Sequence, residues 1–178
     1  MDPLEIIKKY VDPSTDAYRI LVDHSASVAK LALEMGKAHP ELNLDLQFVE
    51  EAAMLHDIGI IKTAAETLDC HGDEPYICHG VLGAELLRAE GLDKHALVCE
   101  RHTGTGLSKA YIDEMGLPIP SRDMLPVSLE EKLVCYADKF FSKSHLGEQR
   151  SVEVARKKLE KFGPETLKRF DEFCALFG

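Results

Sequence analysis

Along "AYRILVDHSASVAKLALEMGKAH" apolar residues return every three or four positions, with Ile20, Val28, Leu31 and Met35 sharing one stripe. Such spacing marks a helix with one buried face. A histidine, His24, stands inside the stripe. The same period recurs from end to end. "DPLEIIKKY" predicts a short opening helix with Pro3 in its first turn, and Ser14 or Thr15 is placed to cap the long one. Asn43 or Asp45 starts "LDLQFVEEAAMLHDIG", which Gly59 is expected to close. Helices are also expected in "CHGVLGAELLRAEG", "DKHALVCERHTG" and "SKAYIDEMG". Ser128 and Glu131 form a capping box for "SLEEKLVCYADKFFSK", and "VEVARKKLEKFG" and "PETLKRFDEFCALF" complete the series. "IIKTAAETLDCHGDEPY" reads as an irregular loop and "LPIPSRDMLP" as a surface connection. No stretch alternates like a strand. The expectation is an all-α fold with residues 1–178 in one domain.

A net charge of -10 argues against a surface that wraps nucleic acid, which needs clustered positive charge to displace counterions. It leaves room for a small anionic substrate, since a bound metal inverts the local field. The five cysteines are odd in number and form no CxxC pair, so reduced thiols in a cytoplasmic protein are expected. No apolar run approaches the roughly 20 residues that span a bilayer, and the N-terminus has no signal-peptide pattern. No nucleic-acid or membrane partner is expected, and the chain is expected to be a monomer or homodimer.

Polar residues on buried helix faces carry the chemistry. His24, His56, His79 and His102 each lie within or at the end of a helical segment, and Asp57 and Asp138 share that setting. A carboxylate on an apolar face is costly unless it is paired or bound to a metal. Six such residues over five helices point to convergence on metal. Imidazole with carboxylate suits first-row transition ions, whereas Mg or Ca favours oxygen-only cages. His39, His71, His95 and His145 fall outside the pattern and read as surface residues. "EVARKKLEKF" interleaves its lysines with Glu153 and Glu160 and reads as a solvated helix.

The order "DHSASVAKLA", "AMLHDIG", "CHGVLGAELL", "ERHTGTGL", "YADKF" resembles the HD-domain phosphohydrolase superfamily over residues 19–143 or so, with helices at 150–177 packed on that core. It is similar to the extended H…HD…H…H…D pattern of two-metal members, among them HD-GYP cyclic-dinucleotide phosphodiesterases and symmetrical diadenosine tetraphosphate hydrolases. The resemblance implies that His24, His56, Asp57 and Asp138 hold one ion. Asp57 would bridge to a second, completed by His79 and His102. Fe or Mn is implied first, with Ni, Co or Zn as alternatives. Two cations acidify a water to hydroxide at neutral pH and clamp phosphoryl oxygens for in-line attack. The implied activity is hydrolysis of a phosphomonoester or phosphoanhydride in a nucleotide-like molecule. A mononuclear nucleotidase and a metal-bound nucleotide sensor with little turnover are the alternatives. His56, Asp57 and Lys62 are the expected catalytic residues, and Lys62, Arg101 and Lys109 the expected substrate contacts. The chain departs from relatives at Ile60, where they carry lysine or glutamate, and Lys62 is the expected substitute. Thr103 follows His102 and the GYP triplet is absent, which argues against cyclic-dinucleotide specificity.

Overall fold

Nine α-helices form largely where the caps and stripes place them, in a computed structural model that describes residues 1–178. They are α1 (Pro3–Tyr10), α2 (Asp16–Ala38), α3 (Leu46–Leu55), α4 (His79–Ala89), α5 (Asp93–Arg101), α6 (Lys109–Met115), α7 (Leu129–Asp138), α8 (Val152–Leu159) and α9 (Pro164–Phe177). The Thr15 hydroxyl accepts the Tyr18 amide and opens α2, and the Asp45 carboxylate accepts the Phe48 amide and opens α3. Asn43 instead ends a 3₁₀ turn in the left-handed region, at φ 48°. The Ser128–Glu131 capping box is present at α7. Such caps satisfy amide donors that the first helical turn leaves without partners.

Three expectations are corrected. Gly59 does not close α3, which ends at Leu55; His56 is its C-cap and Gly59 lies inside a 3₁₀ turn, Ile58–Lys62. Gly59 is needed for close approach: a Cβ there would lie 1.9 Å from the His79 carbonyl oxygen and 2.4 Å from the Gly83 nitrogen of α4. Within the expected irregular loop, Ala64–Ala65 (β1) pairs antiparallel with Cys70–His71 (β2), Ala64 opposite His71. Strands of two residues are too short to show alternation in a sequence. In the expected surface connection, Met124 and Pro126 are buried, and Met124 exchanges backbone hydrogen bonds with Leu107.

Two apolar clusters flank the polar residues. One joins α2, α3 and α7 to α8 and α9 through Val28, Val49, Leu133, Ala155, Phe170 and Phe173, with Tyr136 ringed by aromatic side chains. The other joins α1 to α2, α3, α4 and α5 through Ile7, Leu21, Leu55, Ile58, Ile60 and Leu87. Each fully buried large side chain contributes roughly 1.5–3 kcal/mol. The clusters thus fix the helix ends between them. No helix is long and apolar enough to cross a membrane, and all five cysteines are free thiols.

Candidate metal centre

Helix ends deliver most of the polar residues. His56 and His102 cap the C-termini of α3 and α5, Asp138 is the last residue of α7, and His79 is the first of α4. Only His24 comes from mid-helix. Three helix C-termini therefore converge, and the partial negative charge of each favours a cation between them.

The imidazoles are oriented by one repeated local device. His56 Nδ1 lies 2.6 Å from the Ala53 carbonyl oxygen, His79 Nδ1 2.7 Å from that of Tyr76, and His102 Nδ1 2.7 Å from that of Cys99. Each carbonyl belongs to the residue three positions earlier and accepts a hydrogen bond from the Nδ1–H. This fixes the tautomer and leaves Nε2 to face inward.

The two oxygens of Asp57 face different partners. Oδ2 lies 3.2 Å from His24 Nε2 and 3.1 Å from His56 Nε2, and both imidazoles also face Asp138 Oδ1, at 3.0 and 3.3 Å. Oδ1 lies 3.5 Å from His79 Nε2 and 3.2 Å from His102 Nε2. The donor atoms of His24, His56, Asp57 and Asp138 lie within 4.8 Å of one another, as do those of Asp57, His79 and His102.

These residues fit metal ions. Asp57 is fully buried, yet neither of its oxygens accepts a hydrogen bond of proper geometry, although five nitrogens lie within 3.5 Å. His79 Nε2 and His102 Nε2 face each other at 3.0 Å, and with both Nδ1 atoms donating to carbonyls this sets lone pair against lone pair. Buried donors aimed at a common point without hydrogen bonds are the arrangement a cation satisfies. A histidine–carboxylate set of this kind suits a divalent transition ion.

Cations offset the desolvation of the two carboxylates. Burial works against an ionised Asp57, but the Lys143 ammonium and His56 outweigh it and hold the carboxyl well below its usual range. Asp138 is held low against burial in the same way, by Lys139 and His24. Burial lowers His56, but the carboxylates of Asp57 and Asp138 overcome this and raise it to about 10. Burial pushes His79 down to about 3, and His102 adds to the effect; burial lowers His102 too.

Six sequence-predicted residues, His24, His56, Asp57, His79, His102 and Asp138, are thus brought together, and three others are not. Lys62 is exposed on the 3₁₀ turn, and Lys109 is exposed on α6, 2.5 Å from Asp113. Arg101 points to Glu131, at 2.8 Å. None of the three lines the cavity that opens from the cluster. Ile60, where the resemblance implied a lysine or glutamate, is fully buried in the second apolar cluster. Two lysines take the places that sequence reasoning had given elsewhere. Lys143 Nζ lies 2.6 Å from Asp57 Oδ2, and Lys139 Nζ donates to Asp138 Oδ2 at 2.7 Å and to the His102 carbonyl at 2.8 Å. The signal available was "ADKFFSK", two lysines close behind a buried aspartate.

The HD domain pattern matches residues 21–142. An uncharacterized protein of Methanocaldococcus jannaschii is 41% identical over 121 residues, covering 66% of this chain and 64% of that protein. A tRNA (cytidine(56)-2'-O)-methyltransferase of Thermoplasma volcanium is 30% identical over 174 residues, 97% of this chain but 45% of the enzyme. Its Picrophilus torridus namesake is 33% identical over 130 residues, 72% of this chain and 33% of the enzyme. The chain therefore spans less than two thirds of the length of each. Among solved structures, the HD domain of the L. monocytogenes phosphodiesterase PgpH superimposes with a TM-score of 0.56 at 14% identity, over 98% of this chain and 96% of that one. A second structure of that domain, in complex with cyclic-di-AMP, gives 0.54 at 14% identity, over 99% and 96%.

Proposed function

This chain belongs to the HD domain family, and from that premise we propose that it is a metal-dependent phosphohydrolase with two divalent transition ions, Fe or Mn first. His24, His56, Asp57 and Asp138 would hold one ion, and Asp57, His79 and His102 the other. The observation that carries this reading is the division of Asp57, whose two oxygens face separate donor sets. When bound, two such ions acidify a water and neutralise phosphoryl oxygens. The substrate would be a phosphate ester or anhydride of a nucleotide-like molecule, and no side-chain nucleophile is called for.

The chain's own residues do the rest. Lys139 ties Asp138 to the His102 carbonyl and so locks the ends of α5 and α7 in register. Lys143 supplies a nearly buried ammonium beside Asp57, placed to meet a phosphoryl oxygen entering the cavity. The carbonyl locks on His56, His79 and His102 keep each Nε2 aimed without reorganisation. Because α8 and α9 share a core cluster with α2 and α7, residues 1–178 would work as one unit.

The test is elemental analysis of anaerobically purified protein coupled to a nucleotide hydrolysis screen on the same sample. The expected result is two equivalents of metal and phosphate release, both abolished in Asp57→Ala. One equivalent, with activity surviving His79→Ala, would leave a mononuclear enzyme. Activity in metal-free protein would overturn the reading altogether.

A further inference from the structure

A cavity of about 750 Å³ opens from the donor cluster towards α8, with His24, His79, His102 and Asp138 in its lining. Its charge is the reverse of the whole molecule's. The chain carries 31 acidic and 21 basic residues, yet the lining holds Lys139, Lys143, Arg150, Lys158 and Lys161 against one carboxylate, Asp138. These cations fall into two sets. Lys139 and Lys143 have side chains only 10% and 14% exposed, and both are committed to carboxylates of the cluster. Lys158 and Lys161 are exposed, at the solvent side. Some surface cations elsewhere are paired, as in Lys8–Glu5, Arg19–Asp16 and Arg156–Asp171, and others, such as Lys62, Lys157 and Lys168, are not; none of these lines the cavity. Lys158 and Lys161 stand outside such pairs, Lys161 lying over the Phe162 ring.

A concave wall that is net cationic, with Arg150, Lys158 and Lys161 outside any ion pair, raises the local concentration of anions in an acidic protein. A lone phosphate at the donor cluster would meet Lys143 and leave Lys158 and Lys161 without a counterpart. We infer that the cavity takes a small molecule bearing two or more linked phosphates, the innermost at the donor cluster and an outer one against Lys158 and Lys161. This rests on the proposed function for the placement of the inner phosphate. The outer lysines, with Lys143 and Arg150, lie beyond residue 142, where the HD domain match ends. That segment supplies the outer wall of the cavity.

The experiment is calorimetric titration of the metal-loaded full chain with adenosine 5′-(β,γ-imido)triphosphate and with adenosine monophosphate, metal content being measured before and after. The variants are Lys158→Gln/Lys161→Gln and a charge-matched control, Lys157→Gln/Lys168→Gln, whose residues are exposed and outside this cavity. The triphosphate analogue is expected to bind about tenfold more tightly than the monophosphate. The cavity variant should lose about that factor for the analogue and stay within twofold for the monophosphate, with the control within twofold for both. Equal affinities for the two ligands, or equal losses in both variants, would overturn the inference. Lysine-dependent binding without turnover would refute hydrolysis alone, and turnover without lysine dependence would refute this inference alone.

Discussion

Gly59→Ala isolates the contact that sets α4 against the end of α3. Gly59 does not have a positive φ, so alanine suits its backbone, and on chain entropy alone the change would stabilise by about 0.4–1 kcal/mol. Sterics reverse that sign. The new Cβ would sit 1.9 Å from the His79 carbonyl oxygen and 2.8 Å from the Gly83 Cα, all backbone atoms of one helix. Restoring even the 3.0 Å limit of real Cβ contacts moves the start of α4 by about 1.1 Å. Forced overpacking of this kind costs about 1–3 kcal/mol, or roughly 3–10 °C of melting temperature for a chain this long. His79 rides on the displaced turn, and metal ligation tolerates only about 0.2 Å. Gly59→Ala should therefore melt lower and lose the ion that the proposed function assigns to His79 and His102. Gly116→Ala serves as control: its backbone is left-handed, at φ 60°, with nothing within 4 Å of the new Cβ, so it should lower stability without losing metal. Thermal unfolding with elemental analysis reads both. A Gly59→Ala protein with wild-type melting temperature and full metal content would refute the reasoning.

Lys143→Met strips a nearly buried ammonium from Asp57, so the chelator-treated protein should lose about 3 kcal/mol and the metal-loaded protein much less, as compared by melting with and without metal. Equal losses in the two forms would contradict this. The pH dependence of the metal-free protein has two opposed limbs. His79 falls to about 3 when folded, so its contribution is present above the unfolded value near 6.5 and is lost as pH drops from there towards 3. His56 rises to about 10, so its contribution is full below 6.5 and is lost as pH climbs towards 10. Melting temperature should peak near pH 6.5, with a shallower acid limb in His79→Gln; an unchanged acid limb would count against the assignment. Lys62→Ala and Lys109→Ala remove exposed side chains outside the cavity, so phosphate release should stay within about twofold of wild type. A larger loss would return those lysines to the site.

Legibility followed the range of the interactions. Helix starts rest on bonds three residues long, so the Ser128–Glu131 box could be read directly, and the caps Thr15 and Asp45 to within one of two candidates each. The six convergent residues were legible because ionisable groups on apolar stripes are conspicuous. Lys62 was a misjudgement of direction: on a 3₁₀ turn Ile60 faces the core and Lys62 faces solvent, whereas a lysine 86 positions after Asp57 folds back onto it. Gly59 looked like a helix stop because closeness to α4 is a tertiary fact with no local trace. The lysines at 158 and 161 are solvated, as the sequence reads, but only the fold brings that segment to the same cavity as the histidines.

The spread of the donors along the chain also bears on the order of assembly. His24 meets Asp138 across 114 positions, and His79 meets His102 only after α4 and α5 have packed. No short stretch offers a complete set, so a nascent or partly folded chain presents nothing that matches the finished geometry. Closing loops of this length must precede any reward from a cation, so the proposed metal would be captured at the end of folding. Until then the buried carboxylates must be carried by His56, Lys139 and Lys143. On the proposed function, these groups would act as an internal placeholder that lets the chain reach its form before it takes up metal.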